Sequence, residues 1–132
     1  MILPGILHAE DNDGFLHSFI EGDYILIGKA PDSDRTYHGK VKILKNGGGL
    51  DVVRIIDKKE IKAKGKIETA ADNVKVLRVR FKKENQVYEG TYLLDSDLDN
   101  YGRLTGYVYL KAGGTRKAGL EALFINHDNN QK

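Results

Sequence analysis

The clearest structural signal lies in residues 37–67, which read YHGKVKILKNGGGLDVVRIIDKKEIKAKGKI. Small or apolar residues occupy every second position in two parts of this stretch: Tyr37, Gly39, Val41 and Ile43, then Ile61, Ala63, Gly65 and Ile67. A period of two is typical of a β-strand that buries one face. Turn-forming residues at 46–49 and 57–60 separate the runs, so we expect consecutive antiparallel strands joined by short turns.

The same pattern extends in both directions from this stretch. Further strands are predicted at 24–29, 50–57, 74–82, 86–94, 103–110 and 119–125, and a short helix at 14–21. In the seventh strand we expect Leu104, Gly106, Val108 and Leu110 to point inward, and in the last strand Leu120, Ala122 and Phe124. Eight strands joined by short turns, with no crossover helix, predict an all-β fold, an antiparallel up-and-down barrel, with an open sandwich as the alternative.

The chain has 132 residues, which fits one domain. Residues 1–9 are apolar and precede an acidic run, so they are interpreted either as the end of a secretory signal or as an N-terminal arm. The barrel domain is expected over 10–126 and a flexible tail over 127–132. The signal interpretation predicts a periplasmic or secreted protein, whereas an N-terminal arm is also compatible with a cytoplasmic protein. No other segment approaches the roughly 20 apolar residues of a membrane span.

Composition and charge exclude several functions. The chain has no cysteine, which excludes disulfides, thiolate metal sites and a cysteine nucleophile. Lys62, Lys64 and Lys66 share one strand face, which we interpret first as a solvated outer surface and second as an anion-binding one. No aromatic residue alternates with these lysines, and the net charge is only +2, so a nucleic-acid partner is not expected.

Residues 19–28, with Gly22, Tyr24 and Gly28, resemble the start of a lipocalin, in which a Gly-x-Trp-Tyr-like segment opens the first barrel strand after a helical turn. This chain lacks the tryptophan of that motif. The strand pattern over about residues 14–125 is also similar to that of small exported bacterial proteins of unknown function. The resemblance implies a lipocalin-like barrel with one open end and a ligand cavity near its mouth.

Four polar residues fall on the predicted inward rows: Tyr37, Arg54, Tyr88 and Tyr92. A buried guanidinium needs an anionic partner, either a ligand carboxylate or an internal glutamate, and a buried phenol needs a hydrogen-bond partner. These four residues are therefore the candidate ligand contacts, with a structural hydrogen-bond network as the alternative. Glycines on the same rows either leave a cavity or permit a narrow, filled barrel.

Outward residues give a second candidate site. Tyr101, Tyr107 and Tyr109 are predicted to form an exposed row, which would suit contact with another protein or with a second copy. The acidic loop at 95–100 lacks the glycine and glutamate of a calcium-binding loop, and the four histidines show no ligand spacing. No metal site, cofactor or catalytic residue is predicted.

Two functions remain from the sequence. The first is an extracytoplasmic lipocalin-like protein that binds a small apolar or amphipathic ligand. The second is a filled barrel that acts as a protein–protein interaction module or exported inhibitor.

Overall fold

A computed structural model describes residues 16–94 and 103–126 of the chain. Residues 16–20 are helical. Eight strands follow in the described part of the chain: β1 (Gly22–Lys29), β2 (Thr36–Asn46), β3 (Gly49–Ile56), β4 (Lys59–Thr69), β5 (Lys75–Lys83), β6 (Gln86–Leu93), β7 (Arg103–Leu110) and β8 (Gly119–Ile125). A short 3-10 helix, Ala71–Asn73, lies between β4 and β5.

The strands form one closed barrel in chain order, and β1 pairs with β8 to complete it. Every neighbouring pair is antiparallel. This confirms the predicted all-β, up-and-down barrel, and the open sandwich is wrong. The architecture agrees with the barrel that the lipocalin resemblance implies.

Two hairpins close with turns whose twist suits paired strands. Asp57 and Lys58 have φ values of 53° and 65°, and Glu84 and Asn85 have φ values of 52° and 66°. Each pair sits between strand ends in direct register, Ile56 with Lys59 and Lys83 with Gln86. Two consecutive residues with positive φ are the mark of a type I′ turn, which fixes the register of a two-residue hairpin.

Alternate side chains of the strands form a hydrophobic core inside the barrel. The buried core includes Leu26, Ile43, Val52, Leu77 and Leu123, drawn from different strands. Ile20 of the helix joins this core, and Tyr24 Oη donates a hydrogen bond to the Ile20 carbonyl oxygen at 2.7 Å. The helix therefore packs onto the core at the end where β1 begins, which we call the helix end.

The opposite end, called the far end, carries the connections at 30–35, 57–58, 84–85 and 111–118. Two of these connections are tied together by Asp32. Its Oδ1 accepts hydrogen bonds from the backbone N–H groups of Lys117 (2.7 Å) and Arg116 (3.0 Å), and its own N–H donates to the Lys117 carbonyl (2.9 Å). The loop before β2 is thereby held against the loop before β8.

The inward phase was predicted correctly for β2, β3, β4, β6 and β7 and wrongly for β8. Leu120 is 50% exposed and Phe124 also points outward, while Gly119, Glu121 and Leu123 are buried. The last strand has apolar residues in both phases, so counting them did not identify the buried face.

Candidate functional site

Arg54 and Glu121 form a buried ion pair inside the barrel. Arg54 is on β3 and Glu121 is on β8, and their side chains are 3% and 0% exposed. Arg54 Nη1 donates to Glu121 Oε1 at 2.9 Å, and Nη2 donates to Oε2 at 2.6 Å. This two-point geometry is the strong form of an arginine–carboxylate contact.

Two tyrosines complete the carboxylate's hydrogen bonds. Tyr92 Oη, from β6, donates to Glu121 Oε1 at 2.5 Å, and Tyr37 Oη, from β2, donates to Oε2. Arg54 Nη1 also lies 3.4 Å from Tyr92 Oη. Each carboxylate oxygen thus accepts from one guanidinium nitrogen and one phenol. We call Tyr37, Arg54, Tyr92 and Glu121 the interior cluster.

Strand register explains how these groups meet. One cross-strand row runs round the barrel through Tyr37, Gly28, Glu121, Gly106 and Tyr92. Glycine stands on both sides of Glu121, so no neighbouring side chain of that row crowds the carboxylate. A Cβ on Gly106 would overlap the carbonyl oxygen of Thr91, so only glycine allows this close approach of β6 and β7.

Tyrosine rings occupy the space that the inward glycines leave. A Cβ added to Gly28 would lie 2.6 Å from Tyr37 Cε2, and one added to Gly90 would lie 2.9 Å from Tyr92 Cε2. These rings therefore pack directly on glycine backbone. Such packing uses the missing side-chain volume to fill the barrel at these positions.

The electrostatics of the cluster favour a charged pair with neutral phenols. Burial alone would raise the pKa of Glu121, but the Arg54 charge and the hydrogen bonds from Arg54, Tyr37 and Tyr92 hold it below its ordinary value. Burial and the nearby Glu121 charge raise the pKa of Tyr37 and of Tyr92. At neutral pH both phenols therefore keep their protons and donate to the carboxylate.

Aromatic rings line the other side of the guanidinium. The Arg54 Cζ atom lies 4.3 Å from the centroid of the Phe81 ring, which is within cation–π distance. Tyr88 stacks on Phe81 with centroids 5.6 Å apart. Within the described residues, the Nε of Arg54 has no hydrogen-bond partner.

Three of the four predicted interior residues come together, namely Tyr37, Arg54 and Tyr92. Tyr88 is separated from Arg54 by the ring of Phe81. Its hydroxyl donates to Gln86 Oε1 at 3.3 Å, outside the cluster. Glu121 was missed because β8 was placed in the wrong phase. The requirement for an anion opposite Arg54 was the signal that could have found it.

The tyrosines of the predicted exposed row differ in their exposure to solvent. Tyr107 is 52% exposed, whereas Tyr109 is half-buried, donates to Glu89 Oε1 at 2.8 Å and shares a 2.5 Å hydrogen bond with Thr91 Oγ1. Tyr101 and the acidic loop at 95–100 lie outside the described residues.

Tyr107 belongs to a larger exposed surface on β7, β8 and β1. Five large apolar side chains point outward there, and we call them the apolar face: Ile25, Ile27, Tyr107, Leu120 and Phe124. Ile25 pairs with Phe124 and Tyr107 pairs with Leu120, while Arg103 on β7 also pairs with Phe124 and Lys29 on β1 also pairs with Leu120. The apolar face is therefore bordered by a basic residue at two of its corners. In contrast, β4 carries lysine at three successive outward positions.

No group of three or more histidine and acidic side chains in residues 16–94 and 103–126 could hold a metal ion. None of the helices in these same ranges has the length and apolar character to span a membrane. No protein-family model matches the chain, and no curated protein is significantly similar to it.

The interior cluster makes a prediction about stability. Glu121→Gln keeps one acceptor oxygen but replaces the other with an NH2 donor, and it leaves the Arg54 charge buried without a counter-ion. We therefore expect a loss of about 3–5 kcal/mol in urea unfolding. Adding Arg54→Met should recover at least about 1.5 kcal/mol, because the unpaired charge is gone.

Glu60→Gln is the control, since Glu60 is exposed on β4, and it should change stability by less than about 0.5 kcal/mol. Equal losses in the single and the double variant would contradict the account, because removing Arg54 would then relieve no unpaired buried charge.

Proposed function

We propose that this protein is a protein-interaction module: a filled barrel whose apolar face binds a second copy of the chain. The observation that carries the proposal is the contiguous apolar face on β7, β8 and β1. Large exposed apolar patches on a soluble domain mark contact sites more often than chance. The proposal places the module in the periplasm or outside the cell, on the strength of the N-terminal sequence pattern alone.

The contacts inside the barrel favour a functional surface on the outer side of the wall. Arg54 already has a carboxylate partner in Glu121, and tyrosine rings cover Gly28 and Gly90. A ligand carboxylate would have to displace Glu121 and leave that charge buried without a counter-ion. The interior cluster thus favours the alternative of a structural network over a ligand site.

The dimensions of the apolar face suit the centre of a dimer interface. Three strands about 4.8 Å apart, with residues rising about 3.4 Å each, give a core roughly 15 Å on a side. A standard interface buries about 800 Å² on each partner, with an apolar centre and a polar rim. The face therefore supplies the centre, and His38 and Lys40, which pair with Ile27 and Ile25, begin the rim on one side.

A second copy is the occupant that these features favour. A second copy carries the same apolar face, and it is present at the same concentration as the first copy. A two-fold axis lets both copies bury that face together. None of the five side chains of the face is charged, and the nearby basic residues Lys29 and Arg103 pair with Leu120 and Phe124 at opposite corners. These two cations therefore belong to the polar rim of the contact and not to its centre.

Self-association tests this function. Ile27→Glu places a charge within the apolar face, so we expect dimerisation to weaken at least about tenfold. Sedimentation equilibrium from micromolar to millimolar concentration gives the dissociation constants of the variant and of the unaltered chain.

Leu44→Glu is the matched control, because Leu44 is 47% exposed on the outer side of β2 and lies outside the face. It should leave dimerisation unchanged. A monomeric unaltered chain at every concentration, or equal weakening by both substitutions, would contradict the proposal.

A second candidate function is binding of a small amphipathic ligand at the far end. The Nε of Arg54 favours this function, because Glu121 does not occupy this donor. Tyr37 and Tyr88 are half-buried in the far-end halves of β2 and β6. The natural probe is a medium-chain fatty acid such as decanoate, whose carboxylate suits a guanidinium and whose tail suits aromatic rings.

For this second candidate we expect saturable heat of decanoate binding in calorimetry, reduced by Tyr37→Phe but not by Tyr107→Phe. Tyr37 lies in the interior cluster and Tyr107 on the outer surface. Absence of saturable binding to the unaltered chain would exclude decanoate as a ligand and leave the interaction module as the better account.

A further inference from the structure

A groove lies on the barrel wall beside the turn that joins β2 and β3. Its volume is about 300 Å³, and its lining includes Gly48, Asp51, Lys64, Lys66 and Arg80. Three of these side chains are basic and one is acidic. The groove is separate from both the interior cluster and the apolar face.

The strands beneath the groove place like charges opposite each other. Lys64 pairs with Arg80 across β4 and β5, and Lys66 pairs with Arg78. Directly opposed like charges destabilise a sheet, and a sequence that keeps such a conflict usually does so at a functional site. We therefore expect an anion to lie near these two consecutive basic pairs.

Acidic side chains of the same chain neutralise only some of these basic residues. Lys64 Nζ binds Asp51 Oδ1 at 2.6 Å, Arg80 Nε binds Glu89 Oε2 at 2.7 Å, and Arg78 Nη1 binds Glu68 Oε1 at 2.8 Å. Lys66 has no ion-pair partner among the described residues. One cation at the groove is thus left without a counter-ion.

The β2–β3 turn adds an accessible backbone. The strand pairing ends at Asn46 and Gly49, so the N–H group of Gly48 lies outside the ladder. A Cβ built on Gly48 would meet nothing within 4 Å. An anion in the groove can therefore approach this backbone closely, as phosphate groups do at glycine-rich turns.

We propose that the groove binds a small phosphorylated compound, with Lys66 as the main contact for the phosphate oxygens. Lys64 and Arg80 add positive charge beside it, and the Gly48 N–H is the backbone donor. A doubly charged phosphate group suits this arrangement because it supplies the counter-ion that Lys66 lacks and offers several acceptor oxygens.

The test is a titration with inorganic phosphate at constant ionic strength, followed by the amide NMR signals of Gly48, Gly49 and Gly65. We expect saturable shifts in these signals. Lys66→Gln should weaken binding at least about fivefold, because the uncompensated charge is lost. Asp51→Asn should strengthen it, because a negative charge leaves the lining and Lys64 is released.

Lys62→Gln is the matched control: Lys62 is exposed on the same face of β4 but is not part of the groove lining. It should leave affinity unchanged within about twofold. Absence of saturation, shifts elsewhere on the barrel, or equal losses from Lys62→Gln and Lys66→Gln would overturn the proposal.

A parallel sedimentation assay with phosphatidic acid vesicles identifies the source of the phosphate. If only the soluble probe distinguishes Lys66→Gln from Lys62→Gln, the ligand is a free phosphate compound. If vesicle binding also distinguishes them, a lipid headgroup supplies the same chemistry.

Discussion

A guanidinium and a carboxylate that leave water together lose several kcal/mol of hydration each, and only close, multiple hydrogen bonds offset that loss. In this barrel Arg54 and Glu121 meet that condition with two direct contacts, and Tyr37 and Tyr92 donate to the same carboxylate. The four groups come from β2, β3, β6 and β8, so their contacts link strands on several sides of the barrel. The strand register has to hold for all four contacts to form, because a slip of one residue would turn each side chain outward.

Glycine placement follows from the same constraint. Glu121 lies between Gly28 and Gly106 in its cross-strand row, and the rings of Tyr37 and Tyr92 pack on Gly28 and Gly90. The inward glycines thus accommodate aromatic rings and a carboxylate in a barrel narrow enough to be filled by side chains. The pairing of Arg54 with Glu121 and the packing of these rings on glycine direct the search for function to the outer wall, where the apolar face and the basic groove occupy separate regions.

Much of this fold could be predicted from the sequence because alternation is a local property. In β4, lysines alternate with apolar residues, so the buried face was evident from the sequence. The same reasoning correctly predicted that Arg54 and Tyr92 point inward. In β8, apolar residues occupy both phases because its outer side belongs to the apolar face, and the phase was predicted wrongly. Glu121 was missed for this reason. The contact of Tyr109 with Glu89 depends on the pairing of β6 with β7, which one strand's sequence does not contain.

The most direct test of the central ion pair is an NMR titration of the Glu121 side-chain carboxyl carbon, with unfolding followed in the same samples. The folded-state pKa of Glu121 should lie below its ordinary value of 4.5. The pair then stabilises the barrel fully above that ordinary value, and the contribution is lost as the pH falls through the folded-state pKa. A Glu121 pKa at or above 4.5 in the folded protein would contradict the account, because burial without a charged partner raises the pKa of a carboxyl.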